Sequence, residues 1–106
     1  MELREFERED GRRPFGTWLR TLDAVTAARV QRALARLEAG NASNVKGIGA
    51  GVFELKMDFG PGYRVYFGKD GVDIVILLGG GTKKRQDRDI RIAQALWQNY
   101  KDRKKA

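Results

Sequence analysis

The stretch Phe53-Glu54-Leu55-Lys56-Met57-Asp58-Phe59-Gly60-Pro61-Gly62-Tyr63-Arg64-Val65-Tyr66-Phe67 decides the fold. Before the Gly60-Pro61-Gly62 turn, apolar Phe53, Leu55 and Met57 alternate with Glu54, Lys56 and Asp58. After it, Tyr63, Val65 and Phe67 alternate with Arg64 and Tyr66. A period of two is that of a strand with one face against a core, and Gly-Pro-Gly is a turn. The pattern therefore predicts an antiparallel hairpin. It also gathers Glu54, Lys56, Arg64 and Tyr66 on the face opposite Phe53, Leu55, Val65 and Phe67.

Downstream, Lys69-Asp70-Gly71 reads as a second tight turn. Val72 to Leu78 is nearly all apolar and β-branched, which predicts a central strand covered on both faces. Gly79-Gly80-Gly81 is read as its stop. A last helix is expected from about Gln86 to Lys101, with Ile90, Ala93, Trp97 and Tyr100 as its apolar stripe. The tail, residues 101–106, is too polar to pack and is expected to fray.

Upstream, Gly40 to Gly51 is rich in glycine and asparagine and reads as a loop. It follows a helix capped by Asp23, with the stripe Val30, Leu34 and Leu37, closed by Gly40 in the left-handed conformation that ends helices. Before that, Pro14 suits a first helical turn, and Phe15, Trp18, Leu19 and Leu22 recur on one helical face. Glu2 to Arg8 reads as a short strand broken by Gly11. The order is β-α-α-β-β-β-α in one domain spanning residues 1–106. This is an α+β fold: a mostly antiparallel sheet with its helices on one face, the helical hairpin foremost.

Composition narrows the chemistry. The chain has 106 residues, a formal net charge of +7, no cysteine and no histidine. Disulfides and thiolate chemistry are excluded, and the usual zinc sites are not expected. No metal and no cofactor is expected. The first residues have neither a long apolar core nor a small-residue cleavage site, so no secretory signal is predicted. No apolar run approaches the roughly 20 residues of a membrane-spanning helix. The expectation is a cytoplasmic protein without membrane attachment. A basic excess in so short a chain favours a polyanionic partner, nucleic acid or an acidic protein.

Two cations, a phenol and a carboxylate share the second face of the hairpin, and Lys83 and Lys84 leave the end of the neighbouring strand beside it. Metal-independent RNA cleavage needs a base for the 2′-hydroxyl, cations for the phosphorane charge and an acid for the 5′-oxygen. Without histidine those roles fall to Lys, Tyr or Glu. A lysine crowded by cations has a lowered pKa and serves, while Arg64 matches phosphate bidentately. The chain offers Lys56, Arg64, Tyr66, Lys83 and Lys84 as candidates for such roles. The competing reading is a cross-strand ladder of ion pairs on a solvated face for Glu54, Lys56 and Arg64, a half-buried strand tyrosine for Tyr66, and ordinary loop charge for the two lysines. Arg29, Arg32 and Arg36 form a stripe on the second helix, and Arg85, Arg88 and Arg91 an arc at the start of the last. Of these, Arg29, Arg32, Arg36, Arg85 and Arg88 are RNA-binding candidates, weighed against a plain solvated helix face. Asp87 and Asp89 read as helix-capping acids rather than metal ligands. Trp18, Trp97 and Tyr100 read as core.

The wording of these segments resembles a known family. Gly51 to Asp58, Gly60-Pro61-Gly62-Tyr63-Arg64-Val65-Tyr66-Phe67, Leu77 to Lys84 and Gln86-Asp87-Arg88-Asp89-Ile90 are similar to the HigB-like killer proteins of the RelE/ParE toxin superfamily. Phe15, Trp18-Leu19 and Asn44-Val45-Lys46 fit as well, so the resemblance covers nearly the whole chain. It implies the toxin of a type II toxin–antitoxin pair that cleaves messenger RNA, on the ribosome or off it, and is neutralised by an antitoxin, commonly a helix-turn-helix protein. It also implies a catalytic role for Arg64, with Lys56 and Lys83 or Lys84 where relatives place basic catalytic residues. The sequence departs from the pattern at Glu54, where RelE has a lysine, and in lacking a clear counterpart of the C-terminal tyrosine or histidine some relatives use, for which Tyr66 is the candidate substitute. ParE-type members share the fold but poison gyrase, and fold alone does not choose between these targets. A non-catalytic basic nucleic-acid-binding module is the third reading. The free chain is expected to be a monomer.

Overall fold

The computed structural model describes residues 1–106. It contains β1 (Glu2–Glu5), α1 (Pro14–Arg20), α2 (Ala24–Glu38), β2 (Val45–Gly47), β3 (Val52–Met57), β4 (Tyr63–Asp70), β5 (Ile74–Thr82) and α3 (Gln86–Lys105), with a single 3-10 turn, Lys83–Arg85, leading into α3. The five strands form one sheet in the order β1-β5-β4-β3-β2. β1 runs parallel to β5 and every other pairing is antiparallel, giving the expected α+β class.

The period-two alternation distributes the strands between two cores. Leu55, Met57, Val65, Phe67, Val75 and Leu77 face α1 and α2, where Phe15, Val30, Leu34 and Leu37 meet them. Val52, Tyr66, Ile76 and Leu78 face the other way, against Ala93, Leu96 and Trp97 of α3 and Phe6 after β1. Helices therefore cover both faces, not one. The all-apolar β5 requires this, since a strand buried on both faces needs a layer on each. Each fully buried aliphatic or aromatic side chain contributes about 1.5–3 kcal/mol to closing these layers.

Asp23 caps α2 as expected, its carboxylate accepting from the backbone N–H of Thr26 at 2.8 Å. Gly40, at φ 99°, follows the helix in the left-handed region. Three elements differ from expectation. Part of the 40–51 loop is β2, an edge strand pairing Val45 with Leu55 and Lys46 with Glu54. The glycines 79–81 do not stop β5, because its ladder with β4 continues to Thr82. Lacking side chains, they let neighbours close in: a Cβ on Gly80 would lie 2.3 Å from the Trp18 ring, as one on Gly68 of β4 would lie 2.4 Å from Trp97.

The third difference is the C-terminus. Instead of fraying after Lys101, α3 continues to Lys105. The Arg103 guanidinium lies 5.0 Å from the centre of the Phe6 ring and donates to the Glu7 carbonyl at 2.6 Å. Lys104 forms an ion pair with Asp70, which also accepts from the Tyr100 hydroxyl at 2.6 Å. Long cationic side chains cover apolar surface with their stems while their heads stay wet, so a polar tail packs here. The hydrogen bonds from Lys104 and then Tyr100 hold the Asp70 carboxyl below its ordinary range. Burial, then the bond to Asp70, pushes the Tyr100 phenol up to about 12. No helix is long and apolar enough to cross a membrane.

Candidate functional site

The hairpin β3–β4 sets the register of the candidate residues. Lys56 stands opposite Arg64, which stands opposite Gly81 on β5. One row further, Lys46, Glu54, Tyr66 and Gly79 line up across four strands. The face is the expected one, but it is not open. The start of α3 lies over it, and Glu54, Arg64 and Tyr66 are all buried. Glu54 is the centre of this buried group. Its Oε2 accepts from Gln86 Nε2 at 2.8 Å, and its Oε1 lies 3.7 Å from Arg64 Nε and 3.9 Å from Lys46 Nζ. Arg64 donates through Nη1 to the Gly62 carbonyl at 2.8 Å.

Four expectations about this face change. The ion pair is real, but it runs diagonally between Glu54 and Arg64 beneath a helix, not as a ladder on a solvated face. Arg64 is not a free clamp, because its side chain is 5% exposed and already faces a carboxylate. Tyr66 is 1% exposed, with a hydroxyl lacking a hydrogen-bond partner. Burial, with the charges of Glu54 and Asp89, raises its phenol far above the ordinary value. That shift opposes a role for the phenol as a base. Asp89, read as a helix-capping acid, is buried over Gly81, where a Cβ would meet its Oδ2 at 2.0 Å. A glycine inside a strand pattern marks such a close approach, and that was the available signal.

The remaining candidates divide. The Lys56 side chain is half exposed and pairs with Asp58 at 3.4 Å. Lys83 donates its backbone N–H to the Gly62 carbonyl at 2.9 Å, which ties the 3-10 turn to the β3–β4 turn. A shallow cleft runs along that junction, lined by Asp58, Phe59, the turn glycines and Lys83. Beside it lies a groove of about 390 Å³, lined by Arg29, Arg32 and Arg36 of α2 together with Asn44, Lys56 and Phe59. Asp58 and Phe59 border both, so the two form one basic track. None of the three arginines has an acidic partner within ion-pair distance. Arg29 stacks 3.8 Å from the centre of Phe59, whose ring packs on Tyr63 at 5.1 Å. The structure thus joins the α2 stripe to Lys56 and Lys83, with Arg64 buried alongside. Lys84, Arg85 and Arg88 are exposed around the start of α3 and line neither cleft.

Phe59, Asn44, Lys46 and Gln86 were not singled out by their chemistry in the sequence. Phe59 is an aromatic beside a turn, and only the tertiary approach of α2 brings Arg29 onto its ring. No group of three or more acidic side chains comes together to hold a metal ion.

Fold and track together define a small basic α+β domain with a groove at one edge of its sheet that carries three arginines without acidic partners. Residues 17–98 match the family described as phage derived protein Gp49-like, and the chain belongs to that family. A Haemophilus influenzae protein described as uncharacterized is 42% identical over 85 residues, 79% of this chain and 86% of its own length. No solved structure matches the chain.

Proposed function

We propose that this protein is the toxin of a toxin–antitoxin pair and that it acts as a metal-independent endoribonuclease on messenger RNA. A toxin-type role is consistent with the phage-derived family. The observation that carries the reading is the continuous track from Arg29, Arg32 and Arg36 past Lys56 to Lys83, alongside Arg64. Three arginines on one helix face span about 10 Å along the axis. They offer phosphate contacts with no internal acid to release first. Phe59 carries the Arg29 guanidinium on its ring and so holds that cation at the groove.

In this reading RNA lies along the track with the scissile phosphate at the end of the hairpin. The 2′-oxygen attacks phosphorus, its proton passes to a base and the 5′-oxygen leaves with a proton from an acid, giving a 2′,3′-cyclic phosphate and a 5′-hydroxyl. Lys56 and Lys83 are the accessible groups for proton transfer. Arg64 supplies charge to the phosphorane once its pairing with Glu54 gives way. The antitoxin, a helix-turn-helix protein in this reading, covers the track.

The burial of Arg64 and Tyr66 favours a second reading, a toxin that docks on gyrase and cleaves nothing. Inducing the wild type and Arg64→Ala alone in bacteria, with message ends mapped, separates the two. The nuclease reading expects growth arrest with new message ends, both lost in Arg64→Ala while antitoxin binding persists. Arrest with intact messages refutes it and favours the docking toxin. The absence of any arrest with folded protein removes the toxin reading itself and leaves a basic binding module.

A further inference from the structure

Glu54 lies at the meeting point of three elements. Arg64 comes from β4, Gln86 from the first position of α3, and Lys46 from β2, a strand of three residues at the sheet edge. Around its carboxylate stand one amide donor at 2.8 Å and two cations at 3.7 and 3.9 Å. Two cations against one carboxylate leave the cluster with an excess of one positive charge. The contact with Arg64 is loose: charge-assisted hydrogen bonds close to about 2.7–2.9 Å, whereas Arg64 Nε and Glu54 Oε1 are both buried and neither has a hydrogen-bond partner. Lys46 is 66% exposed, so the cluster borders solvent on the β2 side.

We propose that Lys46, Arg64 and Gln86 form a phosphate seat, held in the free protein by the carboxylate of Glu54, which a phosphodiester displaces on binding. The proposal rests on the RNA reading above and deepens it by naming how the target reaches Arg64. A buried arginine without a counter-anion is strongly unfavourable, so Glu54 lets the free protein fold with Arg64 in place. The same carboxylate competes with the incoming anion. A phosphate offers two oxygens in the spacing that a guanidinium fork accepts, and it meets Lys46 from the solvent side. Displacement turns Glu54 outward, breaks its bond to Gln86 and frees the amide for the anion.

The test uses an oligoribonucleotide whose 2′-hydroxyls are methylated, so it binds but is not cleaved, titrated at several salt concentrations. Glu54→Gln is expected to bind roughly tenfold more tightly than wild type. The salt dependence of log K should steepen by about 0.7, the increment of one cation on a single strand, because the carboxylate no longer offsets one charge of the seat. Adding Arg64→Gln to that variant should abolish both gains. Lys46→Gln, which removes one cation of the seat at a side chain 66% exposed, should weaken binding and flatten the salt dependence, and it serves if Glu54→Gln does not fold. A purely structural Glu54 predicts lowered thermal stability with affinity and salt slope unchanged, and that result overturns the seat while leaving the RNA track intact. If no variant binds the oligonucleotide, the RNA reading falls, and the Arg64 Nε–H resonance decides the seat on its own. Inorganic phosphate should shift that resonance at lower concentration in Glu54→Gln than in wild type, and equal or absent response overturns the proposal.

Discussion

Deleting residues 102–106 tests whether the end of α3 is structural. The deletion removes the Arg103 guanidinium from the Phe6 ring, its hydrogen bond to the Glu7 carbonyl, and the Lys104–Asp70 ion pair. A cation–π contact at a partly exposed site contributes about 0.5–1 kcal/mol. A hydrogen bond from a charged donor that remains partly wet contributes about 1 kcal/mol. An ion pair with one exposed partner adds about 0.5 kcal/mol. The sum is about 2 kcal/mol, before counting the surface of Phe6 that loses its cover. In a domain near 100 residues each kcal/mol moves Tm by about 4–8 °C, so the truncated protein should melt roughly 10 °C lower. Thermal unfolding followed by circular dichroism, with Arg103→Ala beside the truncation, reads this directly. Arg103→Ala should account for more than half of the loss. A truncated chain melting within about 2 °C of wild type would show that the tail frays and that its contacts contribute nothing.

The other predictions concern packing, pH and the groove. Gly68→Ala drives a Cβ to within 2.5 Å of the Trp97 ring, and overpacking of this kind costs about 1–3 kcal/mol; urea unfolding monitored by tryptophan fluorescence should show a lowered midpoint with an unchanged slope. Because the Tyr100 phenol is raised to about 12 from the ordinary value near 10, its protonated form is favoured by folding. That contribution is complete below pH 10 and is lost as pH climbs to 12. The stability gap between wild type and Tyr100→Phe should therefore close over that interval, and a constant gap would contradict the Tyr100–Asp70 bond. Reversing Arg32 and Arg36 together to glutamate should weaken binding to the methylated oligoribonucleotide and flatten its salt dependence by at least about 1.4, two contacts' worth, while leaving Tm nearly unchanged because both side chains are exposed. An unaltered slope would remove the groove from the binding surface.

The way the sequence reports on the site separates register from cover. Alternation in β3 and β4 was enough to put Glu54, Lys56, Arg64 and Tyr66 on one face, and the ladder does so. Alternation says which residues share a face, but not what lies over that face. The information was present one strand away. Val75 to Leu78 are apolar without alternation, so both sides of the sheet must be covered; with α1 and α2 on one side, α3 has to lie on the other. Its first turn then falls on Glu54 and Arg64, as the Gln86 hydrogen bond shows. The 79–81 glycines carried the same message. Read as a stop, they concealed the last three residues of the β5 ladder before Thr82. In the folded chain Gly80 lies under Trp18 and Gly81 under Asp89.

What no local pattern revealed is how α2 reaches the β3–β4 turn. The Arg29-Arg32-Arg36 stripe and the hairpin lysines are separated in sequence, and each alone reads as solvated charge. They become one surface because α2 packs through Val30, Ala33, Leu34 and Leu37 into the core that Leu55 and Met57 share. That packing fixes the rotation of the helix and directs Arg29 onto Phe59. The apolar stripe that the sequence made legible therefore determines the basic groove that it did not. A change on the buried side of α2 that rotates the helix, such as Ala33 to a larger residue, should displace the arginines without touching them. In this small domain the core and the candidate site are two faces of the same helix, and the charge pattern has meaning only once the packing of the opposite face is known.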